Sequence, residues 1–100
     1  LKRKNNMEAI SLKGTADSGG SATTLSKATM VFCSATGSTA TITLDGSVTN
    51  GSGNSGTLDL PAGQTILIRK GPNDTIAASG GTPSLTAVSY NSNSMGTYEV

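Results

Sequence analysis

The sequence predicts an all-β fold, a small antiparallel β-sandwich of jelly-roll-like character with about seven or eight short strands. Three observations predict it. Aliphatic residues alternate with Thr at the period of a pleated strand, and no segment of useful length shows helical spacing. Gly, Pro and Asn/Asp turn signals recur at intervals of roughly 8–12 residues. Ser, Thr, Gly and Ala dominate the chain, a composition suited to strands and tight turns rather than to helices. Two layers around one thin core is the architecture such strands form.

The elements follow in order. Residues 9–13 and 22–25 read as the first two strands. Residues 27–34 carry Met30, Val31, Phe32 and Cys33 without a break, which predicts a strand covered on both faces. Residues 39–45 alternate, with Ala40, Ile42 and Leu44 on one face and Thr39, Thr41, Thr43 and Asp45 on the other. Between them, Ala35-Thr36-Gly37-Ser38 supplies a tight turn, so 28–45 reads as a β-hairpin.

Residues 50–56 hold only Asn, Gly and Ser and read as a flexible loop tip. Residues 57–60 then lead through the turn Pro61-Ala62-Gly63-Gln64 into a strand over 64–69, a second hairpin. In that strand Ile66 and Ile68 share a face and Leu67 opposes them. Lys70-Gly71-Pro72-Asn73-Asp74 closes it: Pro72 fixes φ, and Asn73 and Asp74 can bond nearby backbone. Residues 75–79 form a short strand, Gly80-Gly81 turns again, and 84–90 form a last strong strand. The predicted organisation is an N-terminal arm (1–8), a sandwich domain (9–90) and a polar C-terminal tail (91–100).

A chain of 100 residues buries roughly 60–65% of its unfolded surface, so one core is feasible but thin. Only 34% of residues are hydrophobic, and many of those are Ala. The expectation is a protein that gains stability by oligomerising or by docking on something larger. The net charge of +1 argues against a general nucleic-acid binder, which carries a basic face. Lys2, Arg3, Lys4 and Lys13 gather near the start; for the stretch Lys2-Arg3-Lys4 a solvated terminus and an arm contacting an acidic partner or nucleic acid are both open readings. The chain opens on Leu1, whereas Met7-Glu8-Ala9-Ile10 begins a more ordinary run. A processed precursor, an alternative start codon and an extended coding region would each explain this. No apolar run approaches the 18 or so residues of a membrane span.

Chemistry-bearing residues are scarce. With no His in the sequence, the usual general base of a catalytic triad is missing. Asp45, Asp59 and Asp74 fall at strand ends or turns, where Asp is favoured for backbone bonding. No Asp-x-Asp-x-Asp-Gly spacing suits calcium, and Gly51-Ser52-Gly53 lacks the Lys-Ser/Thr of a phosphate loop. The single Cys33 cannot form an internal disulfide and reads as a small buried hydrophobe. The expectation is therefore no catalytic residue, no metal ligand and no cofactor. The residues singled out as partner contacts are Lys2, Arg3, Lys4, Arg69, Lys70, Tyr90 and Tyr98; the tyrosines combine apolar area with a hydroxyl.

The stretch Gly-Ser-Thr-Ala-Thr-Ile-Thr-Leu (37–44), then 56–76 with Pro61-Ala62-Gly63 before a hydrophobic strand and Lys70-Gly71-Pro72-Asn73-Asp74-Thr75-Ile76 after it, then Val88-Ser89-Tyr90, resembles small virion structural proteins of tailed bacteriophages, of cyanophage type. The resemblance covers residues 31–90, about three-fifths of the chain. It implies a non-enzymatic particle component made in many copies, assembled in the host cytoplasm and located in the virion. The function it suggests first is a capsid decoration or cement protein, with the major capsid protein or other virion proteins as partners, homo-oligomeric or in many copies, without membrane or specific nucleic acid. A tail, neck or fibre-associated virion protein is the alternative. From another class, a carbohydrate- or receptor-binding module fits the fold, although sugar stacking favours aromatic platforms that this chain has few of.

Overall fold

The computed structural model describes residues 9–91, with backbone only at Tyr90 and Asn91. Seven strands form two antiparallel sheets: β1 (Ala9–Leu12), β2 (Met30–Thr36), β3 (Ala40–Asp45), β4 (Ser55–Leu60), β5 (Thr65–Arg69), β6 (Thr75–Ser79) and β7 (Thr82–Asn91). One sheet has the order β1-β7-β2-β5 and the other β4-β3-β6. The all-β sandwich expected from the sequence is what forms.

The core lies between the sheets. Val31, Cys33 and Ala35 of β2 and Leu85 of β7 face Ala40 and Ile42 of β3, Leu60 of β4, and Ile76 and Ala78 of β6. Ile66 and Ile68 pack against this cluster from β5, and Leu25 and Ala28 from the segment before β2. The period-two pattern of β3 decides its facing: Ala40 and Ile42 are buried while Thr43 is exposed.

The two expected hairpins are not hairpins. β2 and β3 lie in different sheets, as do β4 and β5. Each turn carries the chain across the core instead of back along the same sheet. The cause is burial: Val31, Cys33, Ala35, Ala40 and Ile42 are all wanted inside, and crossing at Gly37 lets both runs face the same interior from opposite layers. The hairpin that does form joins β3 to β4, with pairs from Ala40↔Leu60 to Asp45↔Ser55, around the loop 46–54.

The second predicted strand, 22–25, is reduced to a single bridge, Thr23↔Ile76. It belongs to a strap over residues 13–23 that runs from one sheet to the other. Lys13 N donates to Ala87 O and Asp17 bridges Leu85, both on β7. Next, Gly19 O accepts from Ala78 N, and Thr23 pairs with Ile76, both on β6. The strap thus ties the β7 side of one sheet to the free edge of β6 and closes that side of the sandwich. Beyond it, Leu25, Ser26 and Lys27 all have φ between 55° and 63°, a left-handed turn that costs about 1–2 kcal/mol per residue. Leu25 packed on the core, Thr23 Oγ1 accepting from Leu25 N, and Thr24 Oγ1 accepting from Lys27 N offset that cost.

Gly19 is where the strap passes closest. Its φ is +78°, and a Cβ there would stand 2.8 Å from Ala78 Cβ and 2.9 Å from Leu85 Cδ1. Gly19→Val should therefore cost about 2–4 kcal/mol in urea denaturation. Gly20→Val, whose Cβ would meet only Ser18 Oγ at 3.7 Å, should shift stability by no more than about 0.5 kcal/mol. Equal losses at the two sites would show that the strap does not brace the sandwich.

Candidate functional site

Two features stand out: a cross-linked set of loops at one end, and the outer face of the four-stranded sheet. The loops centre on Asp74, which is fully buried. Its carboxylate accepts from Ser52 Oγ at 2.6 Å, Ser52 N at 2.8 Å and Gly71 N at 2.8 Å. The hydroxyl and amide of Ser52, followed by the Gly71 amide, hold the Asp74 carboxyl below the usual carboxylate range. Asn73 Nδ2 donates to Asn50 O, and Lys27 Nζ donates to Asn73 Oδ1. The run 50–56, expected as a flexible tip, is therefore pinned, with Ser52 as its anchor; Ser55 and Gly56 already belong to β4.

Lys70, expected as a partner contact at the end of a strand, is buried instead at 5% exposure. It continues the inward alternation of Ile66 and Ile68 past the end of β5. Its ammonium donates to Gly71 O at 3.1 Å and Asp74 O at 2.9 Å, so it holds its own loop together. Burial lowers its pKa, against the opposing pull of the Asp74 charge. Arg69, one residue earlier, is exposed and points the other way.

That other way is the outer face of the four-stranded sheet. Alternation places Met30 and Phe32 of β2 there, because Val31 and Cys33 face inward. Phe32 pairs with Leu67 on one side and Thr86 on the other, and Met30 pairs with Arg69. One step along from Val31↔Ala87 comes Val88, flanked by Met30 and by its β1 partner Leu12. Ile10 extends the row. Leu12 is 73% exposed and Leu67 44%, while Val88 between the flanking strands is only 3% exposed. The result is a face whose β1-side end carries an apolar patch with Arg69 as its charged group among the described residues, while Ser34, Thr65, Ser84 and Thr86 place hydroxyls on the rest of it.

The outer face of the second sheet is unlike it. Its rows are Asp59–Thr41–Ser79, Thr57–Thr43–Ala77 and Ser55–Asp45–Thr75. Thr41 Oγ1 donates to Asp59 Oδ1 at 3.0 Å, and the Ser47 hydroxyl and amide lower the pKa of Asp45. One sheet thus shows water hydroxyls and carboxylates, and the other adds to its hydroxyls a patch of aliphatic and aromatic carbon.

Of the predicted contact residues, Arg69 lies on the apolar face and Lys70 does not reach the surface. Tyr90 has its backbone beside Ile10. Lys2, Arg3, Lys4 and Tyr98 lie outside the described residues. Sequence reasoning missed Leu12, Met30, Phe32 and Leu67 as residues of an outer sheet face. The signal was present in the unbroken apolar run 30–33, which predicted cover on both faces. The structure buries one face of that run in the core and leaves the other, at Met30 and Phe32, half-buried.

Two clefts of about 210 and 180 Å³ flank Leu25, with Lys13, Ser26 and Ala87 lining both. They combine hydroxyls and cations with no paired carboxylates or thiols. Cys33 lies away from them in the core, and burial pushes its thiol up to about 11. No protein-family model, no curated protein and no solved structure matches this chain.

Asp74 has a lowered pKa in the folded state, so its contribution to stability is complete above its unfolded value, about 3.9, and is lost as pH falls through the folded value. Asp74→Asn should destabilise the protein at about pH 7, and its gap to the parent should narrow towards about pH 2. Denaturation midpoints at both pH values check this. A gap independent of pH would mean the carboxylate charge is not what pins the loops. Cys33 should react with thiol reagents only at the rate of unfolding, as read by timed mass spectrometry.

Proposed function

We propose that this chain is a non-enzymatic virion structural protein, a capsid decoration or cement protein, that seats the outer face of its four-stranded sheet on a shell protein. The observation that carries the docking is the contrast between the two outer faces. Exposed carbon such as that of Leu12 and Leu67, with half-buried Met30 and Phe32 between them, is a mark of protein–protein contact. The partner surface that fits has an apolar centre opposite Phe32 and Leu67 and a carboxylate opposite Arg69. Residues 9–91 carry four cations, Lys13, Lys27, Arg69 and Lys70, and four aspartates, so long-range attraction contributes little and contact area must do the binding. The virion setting is supported by the resemblance over residues 31–90, and the non-enzymatic reading by the absence of His and the scarcity of clustered carboxylates.

Purified particles provide the test. A decoration protein sediments with empty heads at a copy number comparable to that of the main shell protein. Leu12→Lys and Leu67→Lys, at positions exposed enough to leave the fold intact, should each lower head occupancy by about tenfold or more. Recovery with tails at low copy number would move the protein to the tail or neck. Undiminished occupancy of both variants would remove the sheet face as the docking surface, and absence from particles would overturn the reading altogether.

A further inference from the structure

The side of the sandwich away from the strap ends in two free edges. Among the described residues β4 pairs with β3 alone and β5 with β2 alone, so each offers a row of backbone donors and acceptors to another strand. Near the start of β4 the seam between the sheets opens into a groove of about 230 Å³ with Ile42, Leu44, Leu58 and Ile68 as apolar walls. Gly56 accounts for the opening. It faces inward beside its partner Leu44, and a Cβ built on it would meet nothing within 4 Å. Two residues on, on the same face, Leu58 is 39% exposed. A hole and a knob sit next to each other on one strand edge.

We propose that a second copy of this chain pairs here, β4 against β4, antiparallel about a two-fold axis through Thr57. The two three-stranded sheets would then become one sheet of six. Self-complementarity argues for a copy of this chain over an unrelated strand. Residues directly opposite in an antiparallel pair share a face. With the two Thr57 residues opposite each other, Leu58 of each copy falls opposite Gly56 of the other and enters the groove. Asp59 falls opposite the uncharged Ser55. The two Asp59 carboxylates then stand about four residues apart along the strands, ~13 Å, beyond the screening length at physiological salt. The edge also lacks the usual protection: Ser55–Leu60 contains no Lys and no Pro, and its register with β3 runs without a bulge. The contact is isologous and closes on itself, leaving no β4 edge free for further growth. It uses a surface separate from the apolar sheet face, so it stands or falls independently of the virion reading.

Sedimentation equilibrium of the full chain over the micromolar range should show a dimer. Opposed Cα atoms in an antiparallel pair lie about 4.5–5.5 Å apart, within disulfide reach. Thr57→Cys should therefore form a covalent dimer on mild oxidation, with buried Cys33 standing aside. Gly56→Val fills the hole from within the same copy and Leu58→Lys charges the knob. Each should raise the dissociation constant by about tenfold or more, with circular dichroism and thermal unfolding unchanged or, for Gly56→Val, improved. Removal of residues 92–100 should leave the dimer intact. A chain that stays monomeric throughout overturns the proposal, as does a dimer that survives both edge variants. A dimer lost with residues 92–100 overturns it too, because a terminal segment would then be the strand at this edge.

Discussion

The packing of Val31, Cys33 and Leu85 from one sheet on Ile42 and Ile76 from the other is the contact on which the rest of the molecule depends. These side chains are at most 1% exposed, and around them the core is filled by Ala35, Ala40 and Ala78. Alanine brings little apolar area, so the hydrophobic term per residue is modest. A core this slight tolerates few losses: truncating Ile42 or Ile76 to Ala removes about 2–5 kcal/mol from a domain whose total is of order 5–15 kcal/mol.

A thin core leaves the ends and sides of the sandwich to be held by polar bonds. At the loop end, Asp74 ties loop 46–54 to loop 70–74, and Lys70 spends its ammonium on carbonyls of its own turn. A buried carboxylate and a buried ammonium are tolerated because hydrogen-bond donors and acceptors meet them. On one side, the strap supplies β7 and β6 with backbone partners and inserts Gly19 where no side chain fits. The opposite side has no such closure among the described residues.

The two sheets differ most in what they show to water. Threonine and aspartate on the outside of β3 and β4 suit a solvated sheet. On the other outer face Leu12 and Leu67 are exposed and Met30 and Phe32 half-buried. Core and outer face lie back to back through β2: Val31, Cys33 and Ala35 anchor the sandwich while Met30 and Phe32 present carbon outward. Stability and contact are therefore coupled at one strand: a partner covering Phe32 would also shield the β2 ladder.

The sequence by itself determined the fold class, the position of most strands and which residues of β3 and β5 share a face. Those properties depend on local alternation and turn chemistry, as in Thr41-Ile42-Thr43-Leu44 and Gly80-Gly81. It also held the clue to the docking face in the unbroken run Met30-Val31-Phe32-Cys33. Only the tertiary structure decided which strands share a sheet, because a short turn such as Ala35-Thr36-Gly37-Ser38 serves a hairpin and a crossing equally well. The choice is made by distant residues that need a common interior. It also decided the fates of Lys70 and Ser52: a lysine at a strand end and a serine in a glycine-rich loop look solvated until the fold brings the loop around Asp74 to meet them. The hole at Gly56 beside the knob at Leu58 belongs to the same class, since a glycine becomes a binding feature only once an opposing sheet leaves its space empty.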